Sequence, residues 1–207
     1  PTTVQIMNFI KEELKHFPSI ILLIDYANKG FNKIIKEDFR KNNIGMIMLT
    51  AEMFNNKENI QNVLDLKIPI FKFGKENLKA IKRTVIILND TNSYEQISPI
   101  VFDISSQLKI KTKIFDLDPV GDKEGKTNLL DHFENLAKIF NEKIEVVTSG
   151  QNPIRELKKQ KDMLQLLPLK EKMFKKRFFF KFLYTNSDFI AFDLNKYNQL
   201  LIPIVEE

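Results

Sequence analysis

The chain has 207 residues, of which 43% are apolar and none is cysteine. This composition provides for a sizeable core and excludes disulfides, thiolate metal ligands and a cysteine nucleophile. The net charge of +5 is modest, because 32 basic and 27 acidic residues are scattered along the chain as on an ordinary solvated surface. With no secretory signal pattern and no apolar run of membrane-spanning length, we expect a cytoplasmic location.

The first part of the chain predicts an N-terminal helix (residues 1–18) and then alternating strands and helices (residues 19–74). Apolar residues recur at helical spacing from Val4 to Leu14. The predicted elements that follow are strands at Ile20–Ile24, Gly45–Leu49 and Ile68–Phe73, with helices at about Phe31–Arg40 and Lys57–Leu64. Such alternation is typical of parallel βαβ packing.

Residues 82–207 predict a second unit with strands and helices in alternation. The predicted strands are Thr84–Leu88, Lys113–Leu117, Lys143–Val147, Asp188–Asp193 and Leu200–Val205. Helices are predicted from Ser98, from Thr127 and from Pro153, each with a capping residue or a proline in its first turn. The last helix is expected to run into a basic and aromatic insertion at about 160–186.

Four segments of this second unit form a recognisable set: Thr84–Asp90, Val146–Pro153, Asp188–Phe192 and Ile202–Val205. They are similar to the first, third, fourth and fifth strands of the universal stress protein family, which the unit therefore resembles. Residues 19–74 resemble a truncated copy, in which Ile44–Leu49 parallels Phe189–Asp193 and Ile68-Pro69-Ile70 parallels Ile202-Pro203-Ile204. The resemblance implies an α/β fold, a parallel sheet with helices on both faces (adenine nucleotide alpha hydrolase-like), arranged as a tandem with a truncated first unit.

The resemblance also implies where a nucleotide would bind. Some family members hold ATP at the carboxyl ends of the strands, with a glycine-rich phosphate loop after the fourth strand. The matching residues here are Asp90, Thr91, Leu117, Ser149 and Gly150. Asp193–Gln199, which follows the predicted fourth strand, contains no glycine, and Asp193 would bring negative charge near a phosphate. We therefore expect no cofactor, with ATP or AMP as the alternative.

A basic and aromatic segment, Lys170–Phe182, has two interpretations. In the first, its phenylalanines pack on the core or across a dimer, with the lysines in solvent. In the second, the segment binds an anionic surface such as lipid headgroups or nucleic acid. The residues that would carry the second function are Lys172, Lys175, Lys176, Arg177 and Lys181. We favour the first interpretation and expect no nucleic-acid partner, because interleaved polar and apolar residues are typical of any half-buried segment.

Three further patterns predict no chemistry. Gly121–Thr127 resembles a phosphate-binding P-loop, but its glycines are too closely spaced and it carries two acidic residues, so we interpret it as a loop with Thr127 capping the next helix. His16 and His132, the two histidines, lie on separate predicted elements. The acids of the loop after the second strand of this unit are typical of solvated loops: Asp116, Asp118, Asp122 and Glu124. We expect no metal site and no catalytic residue.

The sequence therefore favours a non-enzymatic regulatory domain of universal-stress-protein type. Degenerate copies of that fold occur as cytosolic tails of cation:proton antiporters, so an attached membrane transporter is one expected partner. Family members often pair through their last strand, which predicts a homodimer joined at Leu200–Val205. The alternatives are a free-standing stress protein that binds ATP or AMP, and binding to an anionic surface through Lys170–Lys181.

Overall fold

The computed structural model describes residues 3–14, 41, 44–56, 63–75, 81–88, 110–116, 123–139, 144–148, 153–159, 161–170, 173, 186–194 and 196–204. The helices are α1 (Thr3–Leu14), α2 (Ala51–Phe54), α3 (Lys123–Ile139), α4 (Pro153–Lys159) and α5 (Asn186–Phe192). The strands are β1 (Ile47–Thr50), β2 (Ile70–Phe73), β3 (Arg83–Leu88), β4 (Lys111–Asp116), β5 (Ile144–Thr148), β6 (Met163–Leu169) and β7 (Asn198–Pro203). The strand predicted at Ile20–Ile24 and the helices predicted from Phe31 and from Ser98 lie outside the described residues.

The described strands form one 7-stranded sheet in the order β1-β2-β7-β6-β3-β4-β5. Strands β3 to β7 all run parallel, with β3 between β4 and β6. Strands β1 and β2 are parallel to each other. The central strands carry continuous buried aliphatic runs, such as Val85-Ile86-Ile87 in β3 and Leu166-Leu167 in β6, because both faces of the sheet are covered. The predicted parallel α/β sheet is thereby confirmed.

The two parallel groups are joined by an antiparallel pair, in which Ile70 and Leu201 are direct neighbours on β2 and β7. Strand β7 also pairs with β6, so both of its edges are occupied within the chain. At Leu200 and Leu201 this pairing conflicts with the prediction that Leu200–Val205 forms the edge of a dimer, since the edge that would bind a second copy there already binds β2. The homodimer itself stays a prediction.

Helices cover both faces of the sheet, as predicted. On one side, which we call the front face, α2, α4 and α5 pack through residues that include Phe54, Leu157 and Phe192. On the other side, the back face, α1 and α3 contribute Ile10 and Phe133. Each strand alternates its side chains between the two clusters, which gives two apolar layers on one sheet. None of the described helices is long and apolar enough to cross a membrane.

Two elements of the second unit differ from the sequence prediction. Asp188–Asp193 was expected to be a strand, but this segment belongs to α5, a helix over Asn186–Phe192. The fourth parallel strand is instead β6, Met163–Leu169, within the range expected to be an insertion. The first difference arises because an apolar run shorter than two helical turns does not by itself distinguish a strand from a helix.

Helix α3 also differs, because it begins at Lys123 rather than at Thr127. The second half of the P-loop-like sequence, from Lys123 to Thr127, is therefore helical. Thr127 is an exposed residue inside α3 and does not cap its start.

Candidate functional site

The order of the parallel strands reverses beside β3. From β3 the chain moves outward to β4 and β5 and then returns to β6 on the other side of β3. In open parallel sheets the connections on the two sides of such a reversal leave in opposite directions, and a ligand crevice is expected there, which here is at the carboxyl ends of β3 and β6. This carboxyl edge is the place in an open parallel sheet where ligands bind.

The nucleotide-site residues predicted from the sequence follow three strands that end together at this edge. Leu88, Asp116 and Thr148 are neighbours in one row across the ends of β3, β4 and β5. Directly after these row positions come the five predicted residues, Asp90, Thr91, Leu117, Ser149 and Gly150. All five lie outside the described residues, so their assignment to a nucleotide site stays a prediction.

Strand β6, the fourth strand of the parallel group in chain order, ends at the same edge, and the chain then turns onto the front face. The amide of Met173 donates to the carbonyl oxygen of Lys170 at 3.0 Å, which closes a turn directly after β6. The Met173 side chain is buried in the front-face cluster, and Lys170 is half-buried at the edge. Lys170 is the first residue of the basic segment and lies at the carboxyl edge of the sheet, directly after β6.

This placement corrects the position of the family's phosphate loop. That loop would follow the fourth strand, which is β6, so its position starts at Lys170 and not at Asp193. Asp193–Gln199 lies at the opposite edge, between the end of α5 and the start of β7. No glycine follows Gly150 in the chain, so the corrected position lacks a glycine-rich loop as well.

The basic residues predicted for an anionic surface belong to the segment that follows Lys170. Lys172, Lys175, Lys176, Arg177 and Lys181 lie outside the described residues. Both ends of their segment are nevertheless anchored on the front face, because Met173 precedes most of it and Phe189 of α5 follows it in the same cluster.

The histidine and acidic candidates do not converge in the described part of the chain. His132 lies on α3 beside Phe133, with the ring centroids 6.1 Å apart, and Asp116 ends β4. Glu124 lies in the first turn of α3, whereas His16, Asp118 and Asp122 fall outside the described residues. Within the described ranges, no three His, Cys, Asp or Glu side chains are grouped to hold a metal ion.

Sequence reasoning missed a row of cross-strand neighbours on the front face, which we call the polar row because most of its members are polar. Cross-strand neighbours from β1 to β5 form this row: Leu49, Lys72, Gln199, Gln165, Val85, Lys113 and Glu145. Lys72, Gln199 and Gln165 are fully buried, whereas Lys113 and Glu145 form an ion pair of 2.7 Å near the outer edge. The signal was visible for two of them: Lys72 and Gln165 are each the one polar residue of an otherwise apolar strand, where a buried polar side chain needs a hydrogen-bond partner.

The buried members of the row hold the end of α5. Gln199 Nε2 donates to the Ile190 carbonyl at 2.7 Å and to Gln165 Oε1 at 2.8 Å. Lys72 Nζ donates to the Ala191 carbonyl and lies 4.9 Å from the centre of the Phe54 ring. A second helix end on this face is held similarly, because the Tyr197 hydroxyl donates to the Lys158 carbonyl of α4 at 2.8 Å.

Comparison with solved structures identifies proteins of similar fold. A universal stress protein from Archaeoglobus fulgidus DSM 4304 superposes with a TM-score of 0.56 at 11% identity, over 84% of this chain and 64% of that one. A functionally unknown protein, PA1789 from Pseudomonas aeruginosa PAO1, superposes with a TM-score of 0.54 at 10% identity, over 98% of this chain and 78% of that one. No protein-family model and no curated protein matches the sequence.

These similarities establish a universal-stress-protein-like α/β fold. At such low sequence identity, these similarities show only the fold. The chain spans about two thirds of the archaeal protein's length. Function has to be argued from the sites on this fold.

Proposed function

We propose that this chain is a regulatory domain of universal-stress-protein type that binds a phosphate-bearing small molecule at the carboxyl edge and does not turn it over. The observation that carries the proposal is the reversal of strand order between β3 and β6, with Lys170 directly after β6 at the carboxyl edge. A basic segment at this position supplies positive side chains in place of the glycine amides that hold phosphate in ATP-binding members of the fold.

The lack of catalytic motifs in the sequence favours a regulatory role. It carries no nucleophile paired with a base and an orienting group, and no glycine-rich phosphate loop. A domain of this kind acts by binding: a ligand that prefers one arrangement of the basic segment shifts the population toward it, in proportion to the difference in affinity.

The test is thermal denaturation of the purified chain with millimolar inorganic phosphate, pyrophosphate, AMP or ATP. Stabilisation by at least one of these ligands is expected, since binding to the folded state alone raises its stability. The double variant K170A/K172A should weaken the shift. The matched control K159A/K161A removes two lysines that precede β6, at its other end, and should leave the shift unchanged.

Two results would contradict the proposal. If no phosphate-bearing ligand raises the melting temperature, the carboxyl edge is not a site for this class. If ATP stabilises the chain and is also hydrolysed at a rate that K170A/K172A removes, the domain is an enzyme.

A second candidate function is binding to an anionic membrane surface, favoured by the basic residues that follow β6. Vesicles of phosphatidylcholine with and without phosphatidylserine distinguish it: co-sedimentation only with the anionic vesicles, lost when Lys175, Lys176 and Arg177 are neutralised and when salt is raised, would favour the membrane over the small ligand. Equal sedimentation with both kinds of vesicle would exclude it.

The regulatory proposal has two more specific forms. In the first, the domain is the cytosolic tail of a cation:proton antiporter. In the second, it associates with such a transporter as a homodimer. The coding sequence upstream of Pro1 tests the first, because a membrane-spanning region in the same reading frame is expected. Sedimentation of the purified chain over a range of concentrations tests the second, and a monomer throughout would exclude a homodimer.

A further inference from the structure

The amino edge of the parallel sheet, where β3, β4, β6 and β7 start, carries a row of basic side chains. Each of these strands has a lysine or an arginine at its first position or within two residues before it. Helix α4 ends at the same edge, because the Tyr197 hydroxyl, directly before β7, donates to the Lys158 carbonyl at 2.8 Å. We call these six residues the basic edge: Lys82, Arg83, Lys111, Lys158, Lys161 and Lys196.

The basic edge is accessible and follows a line. Its lysines are exposed, and Arg83 is half-buried. The four strands are consecutive neighbours in the order β7-β6-β3-β4. Since neighbouring strands lie about 4.8 Å apart, the four strand starts span roughly 15 Å. Lysines are common on protein surfaces, but here the strand order aligns them.

Positive charge exceeds negative charge along this line. Arg83 and Lys111 are direct cross-strand neighbours on β3 and β4, and like charges at such positions repel each other. Of the described acids near the line, Asp162 pairs with Lys82 at 3.7 Å, and Asp193 follows α5. These two carboxylates are fewer than the cations of the basic edge.

Other acids nearby in the sequence do not cancel this charge. Glu145 forms its 2.7 Å ion pair with Lys113, which is a lysine outside the basic edge. The connecting stretches 76–80, 107–109 and 140–143, which lie outside the described residues, contain three lysines and two glutamates. An anionic partner would therefore relieve the repulsion along the basic edge.

A narrow row of this kind fits a linear anion better than a small or a flat one. A single phosphate reaches only part of the row. A membrane is wide, and proteins that lie on it add exposed apolar side chains, whereas the exposed large apolar residues among those described, Val4 and Ile139, are not part of the basic edge. A nucleic-acid strand carries one charge per about 3.4 Å, so a span of roughly 15 Å faces about four phosphates.

The aromatic content of this edge favours a duplex over a single strand. Proteins that hold single strands stack the bases on aromatic side chains. Tyr197, the aromatic residue among those described at these strand starts, is buried and uses its hydroxyl on α4. A duplex keeps its bases stacked inside and presents its phosphates outside, so charge alone can hold it.

We propose that the basic edge binds the phosphate backbone of a nucleic-acid duplex without reading its sequence. Lysine and arginine hold phosphates by charge and by donated hydrogen bonds, and the counterions that are released drive the association. The basic edge lies at the opposite end of the strands from Lys170, so this proposal does not rest on the small ligand proposed above. The expectation of no nucleic-acid partner concerns Lys170–Phe182, which is a different part of the chain.

The experiment measures the fluorescence anisotropy of labelled DNA with the full chain. Two duplexes of about 20 base pairs and different sequence are compared with their single strands, between about 50 and about 200 mM salt. The variant K111Q/K161Q/K196Q removes three charges of the basic edge. The control K11Q/K41Q/K67Q removes three exposed lysines on α1, before β1 and before β2, so the two variants have the same net charge.

The wild-type chain should bind both duplexes equally, and its affinity should fall steeply as salt rises. In K111Q/K161Q/K196Q the affinity at about 50 mM salt should fall about tenfold or more, and the slope of log affinity against log salt should become shallower by about one per lysine removed. The control should retain the wild-type affinity to within about twofold. If the triple variant does not fold, K111Q and K161Q replace it, each with a slope shallower by about one.

Four results would overturn the proposal. The first is no binding of duplex by the wild-type chain at the lowest salt. The second is an equal loss in the control, which would assign the binding to net charge. The third is tighter binding of the single strands or a preference for one duplex sequence. The fourth is a chain that binds phosphatidylserine vesicles through these lysines but no duplex, which would make the basic edge a membrane surface.

Discussion

The rings of Phe54 and Phe192 stack with their centroids 5.7 Å apart and their planes at 20°. Phe54 ends α2, the short helix after β1, and Phe192 ends α5, so the contact joins the two parts of the chain over the front face. Both rings are buried, and Lys72 Nζ lies near the Phe54 ring. This pair is the apolar counterpart of the cap that Lys72 makes on α5.

Replacing either ring by alanine should strongly destabilise the fold. We expect F54A and F192A each to lower the free energy of unfolding by about 3–5 kcal/mol, because each removes a large buried side chain and leaves a cavity. Urea denaturation measures both values. In a double-mutant cycle the pair should show a coupling of about 0.5–1.5 kcal/mol. F54A with F133A is the control, since Phe133 is on the back face and the two effects should add; simple additivity for F54A with F192A would contradict the contact.

Gly74 is required where the chain leaves β2. Its amide donates to Asn198 Oδ1 at 3.0 Å, and a methyl group added there would meet the backbone of Lys196 and Tyr197, with the Tyr197 carbonyl carbon 2.7 Å away. Backbone atoms cannot move aside as a flexible side chain can, so G74A should cost about 1–3 kcal/mol in urea denaturation. G45A is the control, because nothing lies within 4 Å of the methyl group it adds. Equal losses in the two variants would show that the close approach is not the cause.

Thr84 and Thr112 form a buried polar contact on the back face. Their hydroxyl oxygens are 3.0 Å apart, between β3 and β4. T84V should lower the free energy of unfolding by about 1–3 kcal/mol, because it leaves the Thr112 hydroxyl buried without this partner. The double variant T84V/T112V should lose less than the sum of the two single variants, since it removes both polar groups together. A double loss equal to that sum, measured by urea denaturation, would contradict the pairing.

The hydroxyl of Tyr197 should stabilise the end of α4. Y197F keeps the ring and removes only the donor to the Lys158 carbonyl, so we expect a loss of about 0.5–1.5 kcal/mol. Hydrogen exchange of peptides over 153–159 should rise in Y197F more than exchange of α5. The same stability as the wild type, with unchanged exchange in α4, would show that water replaces the phenol hydroxyl at no cost.

The sequence predicted the sheet better than it predicted the site. Aliphatic runs such as Val85-Ile86-Ile87 require cover on both faces, and a parallel sheet between helices is the arrangement that provides it. The predicted strands at β3, β4, β5 and β7 are confirmed for this reason. The resemblance implied a parallel sheet with helices on both faces, and the structural comparison confirms that fold.

Strand β6 was missed because its sequence carries two residues that are unfavourable in an interior strand. Pro168 lacks the amide that a strand donates, and Gln165 interrupts the apolar run. The structure accommodates both. The register of β6 with β3 extends only to Leu166, so Pro168 lies beyond it and is paired with Ile202 of β7 alone, and Gln165 hydrogen-bonds to Gln199 across the row.

The mistaken strand at Asp188–Asp193 also hid the role of Lys72. A lysine in a strand is ordinarily expected to point to solvent, and only a helix that ends over β2 and β7 gives it carbonyls to bind in the core. Asn186, Ser187 and Asp188 are residue types that favour helix starts, which is the signal that would have identified α5 from the sequence.

The placement of β2 beside β7 has a consequence for how the chain is made. The aliphatic Leu200-Leu201-Ile202 stretch of β7 is of the kind that joins foreign strand edges when it emerges uncovered. On the ribosome, β2 emerges well before β7, at a rate of about 5–20 residues per second. When the aliphatic strand β7 is translated, its pairing partner β2 has already left the exit tunnel. Each nascent molecule therefore carries its own protection against aggregation.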